Sequence, residues 1–433
     1  MQILSVPNDH VWINHSQDQS PLDTYLVGGA VRDNLLHRAI KDHDYLVIGA
    51  TVTQMLTLGY LQVGKDFPVF LHPKTKEEYA LARTEKKQGH GYTGFSCYFA
   101  PDVTLEEDLK RRDLTVNAMA MDTQGNIIDP YGGQKDLNDR ILRHVSEAFI
   151  EDPLRVLRVA RFAARYHNDG FTIAPETLIL MTQLSEGGEL HNLTAERVWQ
   201  EMQRSLAGEH PEVFFNILHQ CQALKVLWPE LDVLWGIPNP AFWHPEICSG
   251  IHTMMVLKQA TRLSNNTAVR FAALCHDLGK GLTPSGLWPS HKGHEQTGLP
   301  LVKQVCEKFK IPLQYKKLAL KVCEHHLHCH KAFDLKATTL LTIFNQLDVW
   351  RKPQEFDDFL TACKADFLGR KGFENRPYPQ ENYLKALMKA AVAVDAQIFV
   401  TRGLQGLEIK QAMHQARLTV IEKVQAEWQD KRQ

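Results

Sequence analysis

The sequence predicts an α/β (α+β) unit at its N-terminal end, then a mostly α-helical body, then a further all-α domain. Three observations predict it. Residues 24–145 alternate short strand-like and helix-like patterns. From Asp152 onward the strand signal fades and apolar residues recur at helical spacing. Nine of the 21 histidines fall within residues 244–330, a concentration the rest of the chain lacks.

In order, residues 1–23 are polar and aperiodic and read as an extension. Tyr25-Leu26-Val27 is a short apolar run ending in Gly28-Gly29, and VRDNLLHRAI after it has helical spacing. Asp42 to Ile48 reads as a second strand, with further strands at Phe67–His72 and Glu78–Arg83, then a loop, QGHGYTGF. PLRVLRVARFAARY, ERVWQEMQRSL and PEVFFNILHQCQAL carry helical periodicity. A Pro- and Trp-rich stretch, WGIPNPAFWHPE (235–246), marks a boundary. The expected units are therefore an extension (1–23), a head (24–145), a helical neck and body (146–243), a histidine-rich domain (244–370) and a helical tail (371–433).

Composition limits the function. At about 100–200 residues per domain, 433 residues hold two to four folded units. Hydrophobic residues at 44% and charged residues at 23% exclude a largely disordered or fibrous chain. Lys+Arg 49 against Asp+Glu 50 leaves no global positive field, so nucleic acid would be held by a local patch. The eight cysteines include no C-x-x-C pair, which argues against a disulfide scaffold or zinc knuckle and for a reducing compartment. No signal peptide or membrane-length apolar stretch is found, so a soluble, cytoplasmic protein is expected.

Asp42 and Asp44, two apart on a strand, would share a face, and paired carboxylates suit hard cations such as Mg²⁺. Upstream, Gly28-Gly29 allows close approach of backbone N–H groups to a phosphate, and a helix start follows. With Arg32 one turn later, the set describes a triphosphate site and its metals. Each part alone has a plainer reading, solvated acids or a tight turn; together they are more specific.

LVGGAVRD followed by KDHDYLV resembles the head motif of class II tRNA nucleotidyltransferases and poly(A) polymerases, within the polymerase-β-like superfamily. Arg111-Arg112-Asp113-Leu114-Thr115-Val116-Asn117-Ala118 and Glu151-Asp152-Pro153-Leu154-Arg155-Val156-Leu157-Arg158 continue the resemblance in order. It spans about residues 24–370 and is strongest to bacterial CCA-adding enzymes with an appended HD domain. The resemblance implies a polymerase-β-like nucleotidyltransferase head, with Asp42 and Asp44 as catalytic Mg²⁺ ligands. It also implies nucleotide contacts from Gly29, Arg32, Arg112, Asp152, Arg155, Arg158 and Arg161. Asp113 and Asn117 would hold the sugar or brace the motif, and Glu78 is a candidate third carboxylate.

The base edge supplies a chemical reason for Asp152 and Arg155. Cytosine and adenine each present an amine donor beside a ring-nitrogen acceptor; uracil and guanine present a carbonyl beside an N–H. A carboxylate with a guanidinium matches the first pair and opposes the second. Asp152, Arg155, Arg158, Arg161 and Arg165 advance by three or four residues along one helix face. Like charges so placed repel, and a bound anion would relieve them; a solvated arginine face is the plain alternative.

His276-Asp277 in ALCHDLGKG resembles the pair that names HD phosphohydrolases, with His252 upstream and Asp366 downstream in the order of that family's outer ligands. His291, His294, His325 and His326 lie between, and some of them, His326 among the candidates, could serve a second metal or a phosphate. Imidazole with carboxylate suits Mn²⁺, Ni²⁺, Co²⁺ or Fe²⁺ better than Mg²⁺. The resemblance implies phosphatase and 2′,3′-cyclic phosphodiesterase activities. Cys323 and Cys329 allow a zinc site, and the seven lysines of residues 303–331 an RNA-facing helix, although a solvated face is the simpler reading.

The leading expectation is thus template-independent addition and repair of the 3′-terminal C-C-A of tRNA from CTP and ATP, by a monomer or homodimer. A poly(A) polymerase on the same head and a non-catalytic RNA-binding protein are the alternatives. The charge balance and the HD pair argue against the first, and the intact Asp42, Asp44, Asp152 and Arg155 against the second.

Overall fold

The computed structural model describes residues 22–40, 42–63, 69–87, 95–242 and 244–430. The extension up to residue 21 and nearly all of the QGHGYTGF loop lie outside the described residues. The chain divides into two units, Met1–Glu151 and Asp152–Gln433.

The first unit is organised by β1 (Asp23–Val27), α1 (Gly29–Leu35), β2 (Asp44–Ile48), α2 (Val52–Thr57), β3 (Leu61–Val63), β4 (Val69–Leu71) and β5 (Glu78–Leu81). A hairpin follows, β6 (Thr84–Lys87) with β7 (Phe95–Tyr98), then α3 (Leu105–Lys110), β8 (Ala120–Met121), β9 (Ile127–Ile128) and α4 (Gly133–Asp139). Seven strands form one mixed sheet in the order β3-β4-β5-β2-β1-β8-β9. Among the described residues, the β2–β5 pair is the parallel one in this sheet.

Alternation along β2 explains the core. Leu46 packs with Val27, Val103, Leu109 and Ala118 on one face, and Val47 with Met55, Tyr60, Phe70 and Tyr79 on the other. Burial on both faces leaves the strand ends as the place for polar chemistry. Capping boxes start α2 (Thr51 with Gln54) and α3 (Thr104 with Glu107).

β2 is shorter than the expected strand, because it begins at Asp44 and leaves Asp42 ahead of it. Both neighbouring ladders stop there: β1 pairs through Leu26↔Tyr45, and β5 starts at Asp44↔Glu78. With β1 turning away at Gly28-Gly29, residues 42 and 43 precede the paired residues on either side. The shared-face reading of Asp42 and Asp44 therefore rests on proximity, not on a regular strand.

The second unit is helical apart from a short extended segment. It comprises α5 (Leu154–Arg165), α6 (Pro175–Glu186), α7 (Ala195–Leu206), α8 (Pro211–Gln220), α9 (Ala223–Leu227) and α10 (Pro229–Asp232). Then come α11 (Ser249–Leu263), α12 (Thr267–Cys275), α13 (His294–Lys308), α14 (Leu313–His330), α15 (Ala337–Leu347) and α16 (Pro353–Leu368). α17 (Pro379–Val392), α18 (Gln397–Thr401) and α19 (Leu407–Asp430) complete it. The single helical run expected over 211–224 breaks into α8 and α9, because Gln222 adopts a left-handed φ of 61°.

α5 packs on α7 and α8, burying Val156, Leu157, Val159, Ala160 and Ala163. α14 packs against α12, α13 and α16, and α11 against α12 and α16, so these helices surround the histidines. Among the described residues no helix is long and apolar enough to cross a membrane.

Candidate active sites in the head and the histidine-rich domain

In the head, the turn after β1 sets the geometry. Gly28 has φ 68° and ψ −124°, a conformation suited to glycine, and a Cβ there would lie 2.7 Å from Arg112 Nη1. Arg112 donates to the Asn117 carbonyl (3.5 Å) and pairs with Asp108 (3.2 Å). Asp108, fully buried, also pairs with Arg111 at 2.6 Å. Burial works against its charge, but the two guanidinium groups outweigh it and hold the carboxyl below its usual range.

Arg32 is buried rather than presented outward: it pairs with Asp33 at 2.8 Å and donates to Asn117 Oδ1. Asn117 in turn donates to Asp113 (2.9 Å). Asp113 and Asn117 thus brace the turn. Gly28→Ala is expected to lower unfolding stability by about 1–3 kcal/mol, since it meets both backbone strain and the Arg112 guanidinium. Urea denaturation checks this; an unchanged midpoint would contradict the close approach.

Asp44 opens β2 in register with Glu78, while Tyr45 stacks on Tyr79 at 4.6 Å on the other face. The Asp44 carboxyl is pushed up by partial burial, pulled back by Arg112 and pushed up again by the nearby Asp42 charge. That is the environment a cation relieves, and in this respect the residues fit Mg²⁺. Asp42, Asp44 and Glu78 do not, however, form one of the tight donor clusters found in the described residues, in which ligand atoms lie within 4.8 Å of one another.

At the start of α5, Asp152 accepts from the Leu154 N–H (3.1 Å) and pairs with Arg197 of α7 at 2.8 Å. Arg155 is buried. Arg161 pairs with Glu201, also of α7, and stacks over Phe162. Arg158 also faces the Phe162 ring, and Arg165 faces Tyr166. Part of the counter-charge expected from a bound anion is thus supplied by Glu201, which is 40 residues away in sequence and gave no motif to find it by.

The expected HD residues converge. His276 and Asp277 follow the end of α12 rather than lying within a helix. His276 Nε2 is 3.0 Å from Asp277 Oδ2 and 3.7 Å from Asp366 Oδ1, and His252 Nε2 is 3.1 Å from the same Asp366 oxygen. Asp277 Oδ1 lies 3.1 Å from His294 Nε2 and 3.8 Å from His326 Nε2. The donor atoms fall into clusters that include His252–His276–Asp277 and Asp277–His294–His326, with Asp277 common to both.

Backbone carbonyls fix the rings. Nδ1 of His276 faces the Ala273 oxygen (2.6 Å), Nδ1 of His294 the His291 oxygen (2.7 Å), and Nδ1 of His326 the Val322 and Cys323 oxygens (3.1 Å each). In the neutral form of each ring, with its Nδ1–H donating, Nε2 is left as a lone pair. His294 and His326 then set Nε2 against Nε2 at 3.2 Å, an opposition that a cation between them removes. Burial holds His326 well below its ordinary pKa, which keeps it a neutral donor. Burial also disfavours the Asp277 charge, but the His276 imidazole when protonated, together with Lys280, outweighs it and holds the carboxyl well below its usual range. The donor set fits a transition-metal cation.

Other expectations disperse. His325 turns to Glu324 and His328, and His291 Nε2 donates to the Pro238 carbonyl at 2.8 Å. Cys323 approaches the Glu295 carbonyl and Cys329 the Tyr378 hydroxyl; neither belongs to a donor cluster among the described residues. Of the lysines in 303–331, Lys308, Lys310, Lys316 and Lys321 are engaged by protein groups. Sequence reasoning missed Lys280, 2.6 Å from Asp277 and within the quoted ALCHDLGKG, and His330, 2.6 Å from Asp366.

Three family models match parts of the chain. A family model described as the poly A polymerase head domain matches residues 24–143. A probable RNA- and SrmB-binding site of polymerase A matches 170–234, and an HD domain matches 250–354. A multifunctional CCA protein of Pseudoalteromonas atlantica is 58% identical over 400 residues, 92% of this chain and 99% of that protein. Among solved structures, Thermotoga maritima CCA-adding enzyme complexed with tRNA has a TM-score of 0.61 at 17% identity, covering 96% of this chain and 94% of that one. Bacillus stearothermophilus CCA-adding enzyme in complex with CTP has 0.56 at 23%, covering 95% and 91%. The last two establish the shared fold.

Fold and matches together define a nucleotidyltransferase with an appended HD domain. The chain belongs to the multifunctional CCA protein family of tRNA nucleotidyltransferases.

Proposed function

We propose that this protein adds and repairs the 3′-terminal C-C-A of tRNA, taking CTP and ATP without a template. The observation that carries the reading is the 58% identity, along nearly the whole chain, to a multifunctional CCA protein. The tRNA 3′-oxygen attacks the α-phosphorus, the bond from that phosphorus to its bridging oxygen breaks, and pyrophosphate leaves. Asp42 and Asp44 would hold Mg²⁺, with Glu78 in register beside Asp44 as a third carboxylate. When bound, Mg²⁺ supplies charge stabilisation to the attacking and leaving oxygens. Gly28-Gly29 gives the triphosphate an open backbone turn, and Arg112 is anchored close to it.

Asp152 and Arg155 choose the base: the carboxylate accepts from the exocyclic amine and the guanidinium donates to the ring nitrogen. Asp152→Ala or Arg155→Ala is expected to narrow the preference for CTP over UTP by about ten- to a hundredfold, one bidentate contact's worth of discrimination. The ratio of kcat/KM values reads this, since general destabilisation lowers both alike. An unchanged ratio would remove the pair from base selection.

In the HD domain, His252, His276, Asp277 and Asp366 would hold a transition metal such as Ni²⁺, Mn²⁺ or Co²⁺, and Asp277, His294 and His326 a second. The site would act as phosphatase and 2′,3′-cyclic phosphodiesterase, clearing damaged RNA ends. Bound metal supplies Lewis acidity toward a phosphoryl oxygen and water.

The test is incubation of the chain with tRNA lacking C-C-A, Mg²⁺ and each nucleotide singly and in pairs. Ordered addition of C, C and A is expected. Addition from ATP alone to arbitrary RNA would favour a poly(A) polymerase, and no addition a binding protein.

A further inference from the structure

The boundary read from Pro and Trp content runs directly into the HD site. In the segment between α10 and α11, the Pro238 carbonyl lies 2.8 Å from His291 Nε2, and Asn239 Oδ1 accepts from Lys280 Nζ at 3.0 Å. Lys280 is the ammonium that pairs with Asp277. Glu246 Oε1 lies 2.9 Å from Nδ1 of His252 and 2.9 Å from Nδ1 of His244, while its Oε2 accepts from the Lys371 N–H (3.2 Å). The Glu246 side chain is 2% exposed and that of His252 0%. These residues precede position 250, where the match to the HD family begins.

We propose that Glu246 is a positioning residue for the cation site, an inference that rests on the HD reading above. The reasoning concerns one proton. His252 stands between two carboxylates, with Nδ1 toward Glu246 and Nε2 toward Asp366 at 3.1 Å. A neutral imidazole carries a single N–H. If Nε2 keeps it, the proton points at Asp366 and the ring offers no lone pair to a cation there. Glu246 Oε1 faces Nδ1 at 2.9 Å, out of line for a hydrogen bond as placed; a proton at Nδ1 is drawn toward this carboxylate, and Nε2 is then bare on the side of Asp366 and His276. His276, His294 and His326 reach the same state through backbone carbonyls. His252 alone among these four has a carboxylate in that place, and the carboxylate comes from outside the matched domain. A carboxylate behind a ligating imidazole also makes the ring a stronger donor.

The experiment uses the full chain with Co²⁺ alone as probe. Glu246→Ala and Glu246→Met, the second keeping side-chain volume without the acceptor, are expected to weaken Co²⁺ binding by about 10–100-fold. The visible spectrum of the bound Co²⁺ should change, and Glu246→Gln, whose amide oxygen still accepts, should restore most of the affinity. Retained nucleotide addition reports that the chain is folded. Wild-type Co²⁺ affinity and spectrum in either acceptor-less variant would overturn the proposal. Failure of the unaltered protein to bind Co²⁺ at all would instead overturn the HD reading.

Discussion

Asp44→Asn should abolish nucleotide addition, by about 10³-fold as for loss of one preorganised charge partner at a reacting phosphoryl group, while leaving HD-domain phosphatase activity intact. It should also make the protein more stable at neutral pH. The Asp44 carboxyl is raised above its unfolded value by burial and by Asp42, with Arg112 only partly compensating. For an acid raised in this way, the ionised form is penalised in the folded state. The penalty is fully present above the folded pKa and disappears as pH falls below the ordinary carboxylate range. The neutral amide carries no such penalty, so its stability gain should be present at pH 7 and vanish in acid. Thermal melts across that range, alongside the two activity assays, read both effects. Nucleotide addition at the wild-type rate would remove Asp44 from the reaction; a gain that persists in acid would remove the charge as its cause.

That coupling of activity to local instability shows what could be read in the sequence. The glycine pair, the acids and the strand–helix alternation are local signals, and β1, α1 and β2 stand where those signals put them. The end of β2 was not legible, because it is set by where β1 and β5 stop pairing, and β5 lies some thirty residues downstream of β2 in sequence. The arginine spacing on α5 was equally plain, but Glu201, the partner of Arg161, belongs to α7, as does Arg197, the partner of Asp152, and nothing in either helix alone announces the pairings. The histidines told of a metal site through type and density. The Nδ1 contacts that leave Nε2 of these rings available to a cation run to main-chain oxygens, which every residue possesses and which therefore leave no trace in a motif. Proline and tryptophan at 235–246 signalled a break in regular structure correctly, but irregular backbone can also serve a site. Asn239 and Glu246 do so from within it.

Removal of Asp277 should have the complementary effect, and its interpretation depends on Lys280. Both carboxylate oxygens are buried without a well-aligned hydrogen bond, yet His276, His294 and Lys280 lie within 3.1 Å. Such a group is held by charge and not by directed donors, and it would suit a cation as a ligand. Asp277→Asn is expected to abolish phosphohydrolase activity and lower bound metal, with nucleotide addition unchanged. It should also destabilise the fold by about 3–5 kcal/mol, because a buried ammonium loses its partner. Loss of activity alone could then be blamed on unfolding. Asp277→Asn combined with Lys280→Met removes both charges, and replacing a buried ion pair by groups of similar size is often neutral. The double variant should therefore recover the melting temperature without recovering hydrolysis or metal binding. Hydrolysis that returned with stability would mean that Asp277 only neutralises Lys280, and its proposed place as a metal ligand would fall.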